Sequence, residues 1–187
     1  LRVEPAVPGD APGILAIHRR VLSEGDWFIT EPDELTEGVE AKVALIREAA
    51  RLDNGVLLVA RRRHVLVGWG QVVGGNRRRT RHVGRLELMV DAPARGSGVG
   101  AALLQGLVEW AERNPVLYKL SLSVFAHNVR AVALYERFGF VEEGRREREY
   151  RFADGTWRGD VLMTRWVKDQ VEPVESSPSP RHSASRR

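Results

Sequence analysis

"ARGSGVGAALL" (Ala94–Leu104) places glycines at positions 96, 98 and 100 and then runs directly into an apolar, helix-forming stretch. Glycine is unfavourable inside helices and favourable in turns, because the missing Cβ admits positive φ. Glycines at every second position before a helix mark a place where backbone must turn tightly or come close to something. A helix entrance presents unpaired N–H groups and the positive end of a dipole, so it holds an anion such as a phosphate without a dedicated side chain. Arg95 adds a positive charge beside it.

Two nucleotide-binding patterns fail here. A P-loop needs Gly-Lys-Ser/Thr at the helix entrance, and no lysine follows Gly100. A dinucleotide-binding turn needs G-x-G-x-x-G and an acidic residue at the end of the next strand. This chain has G-x-G-x-G, and "KLSLSVF" (119–125) ends without a carboxylate. A glycine-rich turn that only packs helix on strand is the purely structural alternative.

Outward from this stretch, the hydrophobic periodicity lays out an alternating chain. "LRVEPA" is a first strand, punctuated by Pro8, Gly9 and Asp10, with Asp10 the expected N-cap and Pro12 in the first turn of a helix. Ile14, Leu15, Ile17, Val21 and Leu22 form its apolar face. After the loop "SEGDWFITEPDE" a second helix is predicted from about Leu35 to Leu52, burying Val39, Val43, Ile46, Ala49 and Ala50. The period then changes to that of strands: "VLLVARR", "HVLVGWGQVVGG" and "HVGRLELMV", the last with Leu86, Leu88 and Val90 on one face and Arg85, Glu87 and Met89 on the other. The glycine-rich helix runs to about Asn114, where Pro115 stops it. A strand follows (119–125), then a helix with Asn128 as N-cap and Gly139 as its C-terminal left-handed residue. Two strands around an Ala153-Asp154-Gly155 turn complete the domain. The order predicts an α/β (α+β) fold with a mixed sheet. Residues 1–167 form the domain; the Pro/Ser-rich segment 168–187 is expected to be a disordered tail.

Composition narrows the function classes. The 187 residues carry a net charge of +4 and no cysteine, which excludes disulfides, zinc–thiolate sites and a catalytic thiol and fits a reducing cytoplasm. No metal is expected. No apolar run reaches the ~18–20 residues of a membrane span, and "LRVEPAVPGD" lacks a signal-peptide pattern. The arginine clusters 61–63 and 77–81 read as solvated turns, or as attraction for a polyanion or phosphorylated cofactor. No aromatic residues interleave them, which argues against a single-stranded nucleic-acid platform.

The glycine stretch fits the R/Q-x-x-G-x-G/A signature through Arg95, Gly98 and Gly100, and so resembles acetyl-CoA-dependent N-acetyltransferases of the GNAT superfamily. "NVRAVALYERFGF" is similar to that superfamily's late motif N-x-x-A-x-x-L-Y-x-x-x-G-F at Asn128, Ala131, Leu134, Tyr135, Gly139 and Phe140. The two motifs occur in the right order, each at a strand-to-helix junction, and the resemblance extends from Leu1 to Val167. It implies a central, splayed mixed sheet flanked by helices on both faces.

It also implies a division of labour. Main-chain groups of Gly96, Ser97, Gly98, Val99 and Gly100, with Arg95, would receive the diphosphate of CoA. Leu88, Met89 and Val90 would bond the pantetheine arm and the acetyl oxygen, Asn128 would assist, and Tyr135 would protonate the departing thiolate. An acceptor amine must lose a proton, and Glu87, on the strand before the loop, is the expected base, with His127 and His82 as further titratable candidates. In the ribosomal-protein alanine acetyltransferase branch a glutamate lies five residues before the asparagine; this chain has Ser123 there. The acidic, aromatic loop after the first helix is the expected acceptor pocket, through Trp27 and Glu31. The expected activity is acetyl transfer to a primary amine of a small molecule. A protein amine acceptor and a non-catalytic CoA-binding module are the alternatives. A homodimer through late strands is compatible with the resemblance.

Overall fold

The sheet is assembled around a central strand that is paired along its length on one side and only briefly on the other. The computed structural model describes residues 1–168, so the tail expected over 168–187 lies, but for Lys168, outside the described residues. The elements are β1 (Arg2–Pro5), α1 (Ala11–Leu22), α2 (Val39–Arg51), β2 (Gly55–Arg62), β3 (Val65–Gly74), β4 (Val83–Val90), α3 (Val99–Arg113), β5 (Lys119–Phe125), α4 (Val129–Arg137), β6 (Val141–Arg151) and β7 (Trp157–Trp166). The seven strands lie in the order β1-β2-β3-β4-β5-β7-β6. All neighbours are antiparallel except β4 and β5. The predicted sequence of elements and the mixed sheet are both observed.

Two cores cover the two faces. Leu103, Leu104, Leu107 and Val108 of α3 pack on Val56, Leu58, Val72 and Leu86, and this core continues to Leu120, Leu122, Tyr135 and Phe140. On the opposite face Ile14, Ile17 and Val21 of α1 and Ile46 and Ala49 of α2 cover Leu57, Val59, Trp69 and Met89. The alternation read from β4 holds: Leu86 belongs to the α3 face and Met89 to the α1–α2 face. Arg85 and Glu87 therefore share the α1–α2 face.

Local departures have local causes. α2 begins at Val39 and not near Leu35, because Gly38 takes the N-cap position and Glu37 turns back to pair with Lys42 at 2.6 Å. That pair lets Lys42 be buried beside Ile46 and Ala49, and the buried stripe rotates away from Ala50, which is exposed. Asp10 precedes α1 as expected but makes no cap bond to it; its carboxylate accepts from the Val7 N–H at 3.0 Å and pairs with Arg61. Asn128 does cap α4, accepting from the Ala131 N–H at 3.2 Å.

Leu107 is fully buried between α3 and the sheet. Leu107→Ala should lower unfolding free energy by about 2–5 kcal/mol, read as a lower urea midpoint at unchanged slope.

Candidate active site

β4 and β5 pair over only three registers, Val83 to Arg85 against Lys119 to Ser121. Beyond them the strands separate, each held by its outer neighbour. β4 stays paired with β3 through Val90, and the Asp91 N–H continues to the Val67 carbonyl at 3.0 Å. β5 stays paired with β7 through Phe125, and the Ala126 N–H continues to the Gly159 carbonyl. Side-chain pairs reinforce the β4 side: Arg20 donates to both carboxylate oxygens of Asp91, at 3.0 and 2.8 Å. The inner edges of Leu86–Val90 and Leu122–Phe125 are left facing a cavity of about 810 Å³.

A second cavity of about 440 Å³ continues from it, lined by Leu88, Val90, Gly96, Gly98, Gly100 and Asn128 among others. Gly96 and Gly98 have φ of +76° and +84°, the left-handed region that explains glycine at these two positions. A Cβ on Gly98 would meet nothing within 4 Å, and one on Gly96 would approach only the Arg130 guanidinium, at 3.4 Å. The loop is thus open on its outer side. The Ala102 N–H bonds the Gly98 carbonyl, so the amides of Val99, Gly100 and Ala101 have no intrahelical acceptor. Open space, a helix entrance and unpaired amides together fit a diphosphate.

Three arginines stand around this cradle in different states. Arg95, the cation predicted from sequence, lines both cavities, but its charge is spent: Nη1 and Nη2 donate to Glu24 at 2.6 and 2.7 Å, and Nε donates to the Val90 carbonyl at 3.1 Å. It ties the end of β4 to the loop after α1. Arg130, on the first turn of α4, lines both cavities and makes no ion pair among the described residues. Arg62, at the end of β2, donates to the Ser97 Oγ at 2.8 Å and to its carbonyl at 3.3 Å. The sequence alone does not mark Arg62 or Arg130 as a site residue. Arg62 was visible only as part of a cluster, and Arg130 lies inside the late motif at one of its variable positions.

Glu87 lines the larger cavity from the α1–α2 face. Burial pushes its carboxyl above the ordinary range, while Gln71, donating from Nε2 at 2.7 Å, and the Lys42 ammonium pull it partly back. Tyr135 lines the same cavity and belongs to the α3-face core, and burial, with Glu87 adding to it, pushes its phenol up to about 12. Its hydroxyl makes no hydrogen bond among the described residues. Asn128 lines both cavities, and its Oδ1 is committed to the cap. Leu88 and Val90 line both cavities and Met89 the larger one, whereas Ser97 lines neither and Val99 lines only the smaller. Trp27 is in the wall of the larger cavity with Phe28 and Ile29; Glu31 is not. His127 and His82 line neither cavity. His127 stacks on Trp27 and Phe125 beside the mouth.

Ser123 donates its hydroxyl to Asp160, a carboxylate only 1% exposed. Burial alone would raise the Asp160 pKa, yet the bonds from Ser123 and Arg146 hold it below the ordinary range. This carboxylate is anchored as an anion, with Arg146 across it.

The splayed α/β sheet places a glycine-lined helix entrance at one end of the gap, the Glu87 carboxyl on one face and the buried Tyr135 phenol on the other. The acetyltransferase (GNAT) family model matches residues 22–140, and the chain belongs to that family. It is similar to an L-amino acid N-acetyltransferase of Escherichia coli (28% identical over 102 residues, 51% of this chain and 62% of the relative). It is also similar to the [ribosomal protein bS18]-alanine N-acetyltransferase of E. coli (40% identical over 76 residues, 41% of this chain and 49% of the relative). The chain thus spans 49% to 62% of the length of these curated relatives. Among solved structures, a GNAT-family acetyltransferase from Streptococcus pneumoniae is 30% identical with a TM-score of 0.84, covering 88% of this chain and 98% of that one. A phosphinothricin acetyltransferase from Sinorhizobium meliloti, solved with acetyl-CoA, shares the fold at 21% identity and a TM-score of 0.80, covering 94% of each chain.

Because the Glu87 pKa is raised in the folded protein, its linked stability is fully present below the unfolded value of ~4.3 and is lost as pH rises through the folded value. Glu87→Gln should therefore melt higher than the parent at pH 8, with the difference closing as pH falls toward 5; thermal melts at both pH values check this.

Proposed function

We propose that the protein is an N-acetyltransferase that moves the acetyl group of acetyl-CoA to the primary amine of a small molecule. The observation that carries this is the pair of adjoining cavities that share Leu88, Val90, Asn128 and Arg130, one at the β4–β5 gap with Glu87 and Tyr135 in its wall from opposite faces of the sheet, the other at the glycine cradle. Acetyl-CoA supplies a thioester, whose carbonyl carbon accepts an amine and whose thiolate leaves.

The amides at the α3 entrance and the Arg130 guanidinium hold the diphosphate. The pantetheine arm is long, amide-bearing and extended. The unpaired inner edges of Leu86–Val90 bond it as an added strand would be bonded, as peptides add to a free sheet edge. A main-chain N–H there, aimed at the carbonyl oxygen that becomes negative on attack, is worth about 3 kcal/mol. Asn128, with Oδ1 in the cap, presents its amide N–H groups to the arm.

Glu87 takes the proton of the amine. An α-amine has pKa ~8 and a lysine-type amine ~10.4, so a carboxylate whose pKa is raised by burial is better matched than an ordinary one. Tyr135 keeps its proton at any working pH. Full transfer from a phenol at about 12 to a thiolate of pKa ~8.5 is uphill. Tyr135 therefore stabilises the departing thiolate by donating a hydrogen bond, and the proton that finally rests on the thiol comes from the amine by way of Glu87 and solvent.

Two acceptor readings remain in play. The amino-acid acetyltransferase relative favours a small amine, and the ribosomal-protein relative a peptide N-terminus. The first is preferred because the branch-specific glutamate of the second is Ser123 here, and the carboxylate nearest it, Asp160, is locked to Arg146. Thiol release from acetyl-CoA over a panel of L-amino acids, simple amines and alanine-initiated peptides tests this. Turnover confined to peptides would favour the ribosomal-type acceptor. Acetyl-CoA binding without thiol release from any amine would favour a CoA-binding module.

Tyr135→Phe, which removes one hydrogen-bond donor to the developing thiolate, should lower kcat about 10²-fold without abolishing turnover. The parent's kcat/KM should rise with pH through the raised pKa of Glu87, and Glu87→Gln should flatten that limb; steady-state kinetics across pH 5–9 read both. Arg130→Gln should weaken acetyl-CoA binding about tenfold in low salt and less in high salt, measured by calorimetry.

A further inference from the structure

The acceptor side of the cavity, on the α1–α2 face, has an unusual charge balance. The acidic loop after α1 contributes only Trp27, Phe28 and Ile29 to the wall; none of its carboxylates is there. Glu24 is consumed by Arg95 and by the Trp27 indole N–H, and the Glu34 carboxylate accepts from the Glu31 main chain. Of the charges that do line the cavity, Arg95 is paired with Glu24, Arg146 with Asp160, and Glu143 with Lys119. Arg130 is shared with the diphosphate cavity.

Two residues are left on this face, Arg85 and Glu87. Arg85 is exposed although it lies on the central strand, between Val73 of β3 and Ser121 of β5, and its guanidinium has no hydrogen bond or ion pair among the described residues. An unpartnered cation in the middle of a seven-stranded sheet is not needed by the fold. It stands two residues before Glu87 on the same face, with Cα atoms about 7 Å apart. That spacing lets the two long side chains converge on the two ends of one small zwitterion.

We propose that Arg85 binds the carboxylate of the acceptor, so that the substrate class is amino acids with a free α-carboxylate and an apolar side chain. The side chain lies against Trp27, Phe28 and Ile29, and the amine is presented to Glu87. A polyamine has no group for Arg85 and, among the described residues of the cavity wall, meets no unpaired carboxylate beyond Glu87. The assignment rests on the acetyltransferase reading of the site, and deepens it.

The test uses L-leucine, L-leucinamide and 3-methylbutylamine as acceptors, and N-acetyl-L-leucine and N-acetyl-L-leucinamide as binding probes on the CoA-loaded protein. Thiol release should favour L-leucine over both uncharged-end analogues by tenfold or more in kcat/KM. Arg85→Gln should raise KM for L-leucine at least tenfold, leave the KM for acetyl-CoA unchanged, and erase the preference over the amide. By calorimetry, N-acetyl-L-leucine should bind the CoA-loaded parent and lose tenfold or more in affinity in Arg85→Gln, with N-acetyl-L-leucinamide insensitive to the change. Equal treatment of acid and amide by the parent, an equal loss for both in the variant, or binding of neither probe while CoA itself binds would each overturn the assignment. Absence of CoA binding in the first titration would instead overturn the acetyltransferase reading.

Discussion

The short pairing between β4 and β5 is the constraint on which the site depends. Parallel strands normally continue side by side, because an unpaired buried N–H or carbonyl is costly. Here each strand is fully satisfied on its outer edge, by β3 and by β7, and the two are drawn apart after Arg85 and Ser121. The inner edges are left without partners and line a cavity. Such edges are tolerated when water or a ligand completes them. An extended ligand that carries its own amides is a better complement than water, because the donors and acceptors that receive it are already in place.

The ion pairs show how the gap is kept open. Arg20 on Asp91 and Arg95 on Glu24 and the Val90 carbonyl bind the end of β4 toward α1 and its following loop. Asp160, with Ser123, Arg146 and Tyr150, braces β5, β6 and β7 to one another on the far side. Removing one partner of a buried charge strands the other, so these clusters resist relaxation of the gap more strongly than their net stabilisation suggests. They also explain why charges that look available in the chain are not: Arg95 and Arg146 are occupied, while among the described residues Arg85 and Arg130 have no partner.

The face on which each group lies sets the chemistry. Glu87 and Tyr135 both reach the cavity, but Glu87 belongs to the α1–α2 side and Tyr135 to the core under α3. A carboxyl raised by burial and a phenol raised further by burial and by that carboxyl differ enough that one can accept a proton while the other only donates a hydrogen bond. The family supplies the frame for this arrangement; the acceptor proposed for it follows from the residues lining the α1–α2 side.

Much of this arrangement is legible in the chain itself. Periodicity located the strands and helices; the glycines at 96 and 98 announced a positive-φ turn at a helix entrance; Asn128, Tyr135 and Gly139 announced the second strand-to-helix junction. These are local properties, set by φ preferences, capping and side-chain alternation over a few residues, and sequence carries them directly. It did not carry the state of each charge. Whether Arg95 faces a phosphate or Glu24, whether Lys42 can be buried, whether Glu31 reaches the pocket, and whether Arg85 has a partner depend on residues far apart in the chain. The Arg95–Glu24 and Arg61–Glu4 contacts, 71 and 57 positions apart, exist only after the sheet has closed. Local backbone geometry was therefore the sequence's to determine, and the pairing of charges, together with the gap that selects which of them remain free, was decided by the tertiary fold.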